Sequence, residues 1–333
     1  MDTKNKTSSP KGNLMIIVAT IIWGAGYVAQ SSGMYYVSPF TFNAVRFAIG
    51  GTIALGPTLF FLMRNKATPL EVGKPAAISK KVACVSPSGF LRQAQTPVKK
   101  TIVAGVICGS VLCIAINLQQ FGIVFTTVAN ASFITTLYVI MVPIASLIFF
   151  RKKVAALVWV SVAMAMVGVY FLSLSGGFNV NFGDILVLLC AIAFATQILI
   201  ISHFSPKHNV IVLASIQFYM VSVISLVLAL IFETPSLGAI LSAAPYVLYT
   251  GVLSSGVAYI LQMKAQKTTD ASVAAVLFSF EGVVASIVGW VVLSQVLTPR
   301  ELLGCALIFI AILIAQAPVK AKKAIFNHSE GAG

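Results

Sequence analysis

TIVAGVICGSVLCIAINLQQFGIVF, residues Thr101 to Phe125, runs for twenty-five positions without a lysine, arginine, aspartate or glutamate. At 1.5 Å per residue a helix of this length reaches about 37 Å, enough to cross the ~30 Å hydrocarbon core of a bilayer. Outward from this run, similar apolar stretches recur along the chain at roughly 13–32, 38–63, 129–150, 154–174, 182–203, 208–232, 243–264, 271–293 and 300–317. The run is continuous rather than alternating, so it reads as helix and not as a barrel strand of about ten residues. Over all 333 residues, 59% are apolar and 9% charged, against about 25% charged in a soluble domain. No soluble core could hide that much apolar surface. The expectation is an all-α membrane protein of ten transmembrane helices.

The formal charge is +14, from 22 Lys and Arg against 8 Asp and Glu. In a soluble chain this would suggest a nucleic-acid partner. Here the cations are scattered between apolar runs, so the partners expected are a lipid bilayer and a small molecule, and no nucleic acid. With the N-terminus inside, 20 of the 22 fall on the inner side. Only Arg300 lies outside, and Arg46 lies within a span. The excess of inward Lys and Arg predicts both termini in the cytoplasm of a multi-pass protein of the inner (cytoplasmic) membrane. The initial apolar run lacks a small-x-small cleavage site and reads as a retained first span. The 64–100 connection is rich in Pro, Lys, Ser and Gln and reads as a cytoplasmic insertion. Residues 1–12 and 318–333 read as cytoplasmic tails.

A weak repeat is visible. Thr126-Thr127-Val128-Ala129-Asn130-Ala131-Ser132 opens the fourth span, and Thr268-Thr269-Asp270-Ala271-Ser272 opens the ninth. Ile144-Ala145-Ser146-Leu147 echoes Val284-Ala285-Ser286-Ile287 further along. The echoes are five spans apart, and an odd separation turns the second copy upside down. The chain therefore divides into five-helix halves, 13–174 and 182–317, as inverted repeats of the kind that build secondary transporters around a midplane site.

Several motifs resemble the EamA-type, ten-helix family of the drug/metabolite transporter superfamily. They are Trp23-Gly24, Val45-Arg46-Phe47, Leu118 to Gly122 leading into Phe133 to Val139 and Pro143, Gly183-Asp184, Phe278 to Glu281, and Leu297-Thr298-Pro299. The resemblance covers Leu14 to Ala317 apart from 64–100. Gly282 stands where the family usually has proline, and Phe194 where tryptophan is common. The resemblance implies export of small metabolites, amino acids among them, by alternating access.

An ionisable group in a span costs about 2.5–3.5 kcal/mol on insertion scales, which singles out Arg46 and Glu281. Each is read either as a structural charge or as facing a water-accessible cavity. Glu281 is then the acid for coupling to protons. Candidate substrate-binding residues are Trp23, Asn43, Asn117, Gln120, Tyr138, Gln197, Tyr259 and Gln262, each able instead to bond a neighbouring helix. Asn117 and Gln120, at i and i+3, share a face and are assigned to a common cavity, with Gln119 pointing elsewhere. Asp184, Glu233 and Asp270 read as solvated caps at span ends. Gly105-x-x-x-Gly109 reads as a close helix crossing. The five cysteines read as free thiols, and no ligand spacing calls for a metal or cofactor. With no P-loop, G-x-S-x-G or paired catalytic carboxylates, an enzyme is not expected. The expected function is a secondary active exporter of amino acids or similar amphiphiles. The rivals are an uncoupled facilitator and a carrier or enzyme for lipid-linked substrates.

Overall fold

A computed structural model describes residues 9–66, 98–126, 128–151, 154–173, 181–293 and 298–316. Residues 1–8 of the N-terminal tail, the tail 318–333, most of the 64–100 insertion and Cys84 lie outside the described residues. The elements in chain order are α1 (Pro10–Gly33), α2 (Pro39–Lys66), α3 (Val98–Phe125), α4 (Val128–Thr136), α5 (Tyr138–Phe150), α6 (Ala156–Ser173), α7 (Phe182–Phe204) and α8 (Val210–Phe232). There follow α9 (Leu237–Ser242), α10 (Ala244–Leu248), a π-helical segment (Tyr249–Ala258), α11 (Tyr259–Ala265), α12 (Ala271–Phe278), α13 (Phe280–Leu293) and α14 (Pro299–Gln316). The described residues form helices and connecting turns, with no strand.

Among the described residues eight segments are long and apolar enough to cross a membrane. They are α1, Lys99–Phe125, Ala131–Phe149, α7, α8, Ala244–Ala265, Ala271–Val292 and α14. Between them lie α2, of 28 residues, and α6, with a shorter apolar stretch Ala156–Phe171.

Polarity is arranged inside out relative to a soluble fold. Leu230, Ile231 and Val291 are 64–70% exposed, whereas Gln120, Gln197 and Gln217 are fully buried. Apolar side chains on the perimeter suit hydrocarbon, and buried amides hold helices together where lipid offers no hydrogen bonds. Small residues set the crossings. A Cβ on Gly105 would stand 2.7 Å from Ile216, and one on Gly109 2.7 Å from Met220. Both glycines thus bring α3 against α8, as their four-residue spacing suggests.

Three segments depart from straight α-helix. Between α4 and α5, Leu137 sits on i→i+3 bonds, its N–H reaching Ile134 O and its carbonyl accepting from Ile140 N, both at 3.1 Å. Pro143, one turn on, has no N–H to give and its ring crowds the Val139 carbonyl, which loosens the ladder there. Between α12 and α13, Ser279 N reaches Val276 O at 3.2 Å and Gly282 N reaches Ser279 O at 3.3 Å. The Ser279 hydroxyl also bonds Val276 O at 2.6 Å, a side-chain competitor for the ladder. The third departure is Tyr249–Ala258, whose i→i+5 pattern recurs at functional sites.

Candidate functional site: a buried polar cavity

The two interruptions meet in the interior. Tyr138, just past the α4–α5 break, donates its hydroxyl to Glu281 Oε1 at 2.9 Å, just past the α12–α13 break. Glu281 is 5% exposed and Tyr138 4%. The π segment contributes the Ser254 carbonyl, which accepts from Trp23 Nε1 at 3.2 Å. Trp23 lies against Tyr259 and Phe278 with ring centroids 4.9 and 5.6 Å away.

These side chains surround a cavity of about 50 Å³. A water needs roughly 10–15 Å³ by this measure, so the space holds a few waters and no larger solute. Trp23, Arg46, Tyr138, Gln197, Tyr259, Gln262 and Glu281 all line it. Gln262 Nε2 donates to Gln197 Oε1 at 3.2 Å, which ties two of them together.

Asn43, Asn117 and Gln120 are not in the lining. Asn43 Nδ2 donates to Asn117 Oδ1 at 2.9 Å, and Asn117 Nδ2 donates to Cys113 O at 2.9 Å and Ser225 Oγ at 3.1 Å. This network binds α2, α3 and α8. The face shared by Asn117 and Gln120 turns into the helix contact, and Gln120 is fully buried there. Gln119 is the polar residue of α3 that reaches the cavity, beside Ile116, and its Nε2 donates to the Tyr27 hydroxyl at 3.1 Å. Sequence reasoning also passed over Gln30, Thr135, Ser254 and Phe278. Gln30 lies seven residues past Trp23, two turns along one face, which was the available signal.

Arg46 and Glu281, the lining's cation and acid, form no ion pair; Glu281 is held by Tyr138 instead. Arg46 is 2% exposed. One of its terminal nitrogens, Nη1, donates to Gln30 Oε1 at 2.9 Å, while Nε and Nη2 have no acceptor. The rings of Phe42 and Phe47 lie 5.5 and 5.1 Å from its guanidinium carbon. Cation–π contacts supply about 2 kcal/mol when desolvated, against an effective burial penalty of several kcal/mol per ion.

Away from the cavity lining, polar contacts join the helix ends. At one end the Thr126 hydroxyl donates to Asp184 Oδ1 at 2.5 Å, and Glu233 accepts from Phe40 N, Thr41 N and Thr41 Oγ1 at 2.6–2.8 Å. Asp184 and Glu233 are therefore more than solvated caps. Asp184 is 7% exposed and joins α7 to α3, and Glu233 caps α2 from the end of α8. Asp270 caps its own helix through Ser272 N at 2.9 Å. At the other end Thr269 Oγ1 approaches Asn13 Oδ1 at 3.5 Å, joining α1 to the turn after α11.

The architecture is that of a multi-pass membrane protein built around an interior polar chamber, and comparison with known proteins gives its class as a transporter, not an enzyme. The chain belongs to the EamA-like transporter family, whose model matches residues 10–174 and again 181–316. An uncharacterized transporter of Archaeoglobus fulgidus is 31% identical over 307 residues, spanning 92% of this chain and 86% of that protein. The uncharacterized transporter YwfM of Bacillus subtilis is 26% identical, spanning 96% of this chain and 99% of its own length. A solved structure titled "Crystal structure of protein" superposes with a TM-score of 0.69 at 18% identity, covering 91% of this chain and 96% of that one. It shares the fold. A membrane transporter acts on a small-molecule substrate in a lipid bilayer.

Proposed function

We propose that the chain is a secondary active exporter of small organic metabolites, amino acids or similar amphiphiles, working by alternating access in the cytoplasmic membrane. The observation that carries this reading is the buried cavity lined by a cation and an acid, Arg46 and Glu281, that do not pair with each other. The double match of the family model supports two repeats, and the Thr126–Asp184 and Thr269–Asn13 contacts support their inversion, because equivalent turns meet equivalent helix starts at opposite ends. On this reading α2 and α6 complete ten spans and both termini face the cytoplasm. Glu281 carries the coupling proton, since a buried carboxyl beside a tyrosine can exchange its proton only when one end opens.

The test uses purified protein in proteoliposomes loaded with mixed labelled amino acids. Efflux is followed with and without an imposed pH gradient, for wild type and Glu281→Gln. Gradient-driven movement that the substitution abolishes supports coupled export. Downhill flux that ignores the gradient and survives the substitution makes the protein a facilitator and Glu281 structural.

A further inference from the structure

We propose that Arg46 is the anchor for a carboxylate on the transported molecule, so that the substrate class is the monocarboxylates and a compound without that group is not carried. The inference deepens the transporter reading above and rests on it.

Its basis is the hydrogen-bond inventory of one side chain. A guanidinium has five N–H donors in a rigid fork. Gln30 takes one, at 2.9 Å, and Nε and Nη2 have none. The nearby Phe42 and Phe47 rings stabilise the positive charge but accept no bond in the guanidinium plane. Several buried polar atoms here have no partner in the chain, and each calls for an explanation such as a water, ion or ligand; Nε and Nη2 of Arg46 are the ones that carry a full charge and line the cavity. The lining's acid is not the missing acceptor, because Glu281 is held by Tyr138. Nε and Nη2 are therefore left to a water or to a group from outside the chain.

The fork selects the chemistry. Two N–H groups side by side match the two oxygens of a carboxylate, and this planar pairing distinguishes arginine from lysine. Phosphate would also fit the fork, but a dianion calls for more positive charge, and Arg46 is the lining's only Lys or Arg. A single cation favours a monoanion. Trp23, Tyr259 and Phe278, packed as one aromatic cluster in the same lining, give the apolar remainder of such a molecule a place to lie. At about 50 Å³ the cavity is too small for it, so the carboxylate would meet Arg46 once the cavity widens, displacing the few waters that fit there.

The test uses the full chain in proteoliposomes loaded with a mixture of amino acids, the corresponding α-amides and the corresponding decarboxylated amines. Mass spectrometry reads which compounds leave faster than from protein-free vesicles. Wild type is expected to move amino acids and neither the amides nor the amines. Arg46→Gln is expected to lower that flux on the order of tenfold or more, since each lost charge-assisted bond is worth about one such factor. Arg46→Lys, which keeps the charge and loses the fork, should fall between. A second reading that needs no active variant is the thermal midpoint of detergent-solubilised wild type. Amino acids should raise it and their α-amides should not. If wild type moves amides or amines as fast as amino acids, the carboxylate assignment fails while the transporter reading stands. Wild-type flux through Arg46→Gln also overturns it. No flux of any compound, with no thermal shift, overturns both.

Discussion

The two ends of the molecule solve one packing problem with different chemistry. At one, Gly183 lets α7 touch the end of α3: a Cβ there would stand 2.8 Å from both Gly122 O and the Phe125 carbonyl carbon. At the other, Gly12 lets α1 touch the turn after α11: a Cβ there would stand 2.5 Å from Thr269 Oγ1 and 3.4 Å from Ala265 O. Each glycine precedes the polar residue that makes the cross-contact, Asp184 or Asn13. In both turns a threonine N–H returns to a carbonyl four residues back, Thr126 to Gly122 at 3.0 Å and Thr269 to Ala265 at 2.9 Å. The backbone arrangement is the same. The polar contact is a carboxylate taking a 2.5 Å hydrogen bond at one end and an amide with a 3.5 Å contact at the other. What differs in this pair of contacts is the chemistry, a charged acceptor at one end and a neutral amide at the other.

That contrast can be broken at four points. The largest effect is expected at Gly183→Ala, because the new methyl meets backbone on two sides and cannot be accommodated by a rotamer. Overpacking of this kind costs about 1–3 kcal/mol, and transport should fall severalfold or more in a flux assay. Gly12→Ala should cost less, since the nearest atom is a threonine hydroxyl, and Gly12→Ala combined with Thr269→Ala should recover much of the loss in thermal midpoint. A double-mutant cycle measures this directly.

Next in size, Asp184→Asn exchanges a charge-assisted bond for a neutral one. It also weakens the capping box in which Asp184 Oδ2 accepts from Asn181 N at 3.0 Å. Bonds to charged groups are worth about 1.5–3 kcal/mol and neutral ones about 0.5–1.5. Asp184→Asn should therefore raise labelling of a cysteine placed at Phe125 more than Asn13→Ala raises labelling of one placed at Thr268. Equal increases would erase the asymmetry.

The smallest effect concerns Lys267, in the turn at the Asn13 end. Burial, with Lys264 nearby, pulls its ammonium from 10.5 down to about 8. Between about pH 8 and 10.5 the unfolded chain holds this proton and the folded one does not, so folded stability rises with pH in that window. The midpoint of wild type should rise relative to Lys267→Gln from pH 8 to 10, and a flat difference would contradict it.

Much of this fold can be read from the chain because the decisive quantity is local. A run such as 101–125 reports its own transfer free energy, and Arg46 and Glu281 stand out because charge in a span is expensive. The threonine turns, Thr126-Thr127 and Thr268-Thr269, are the sequence signal on which the proposed repeat rests. The breaks at Leu137 and Ser279 were hidden, because an i→i+3 turn within an apolar run leaves hydropathy unchanged; Pro143 hinted at the first. The π segment has no sequence signal of comparable strength. The Asn117–Gln120 face shows the deeper reason. Helical spacing says which residues share a face, but in a bundle a face can meet lipid, a neighbour or the cavity, and only tertiary packing decides. Asn117 met Ser225 of α8, and Gln119 met the cavity.

On the proposed mechanism both ends open in turn around one shared chamber. Paired cysteines at Phe125 and Phe182, whose rings lie 5.8 Å apart, would lock the Asp184 end. Paired cysteines at Asn13 and Thr269 would lock the other. The measurement is proteoliposome flux after crosslinking each pair and after reducing it. Alternating access predicts that either crosslink alone stops flux and that reduction restores it. Flux that persists with one end locked would contradict the account.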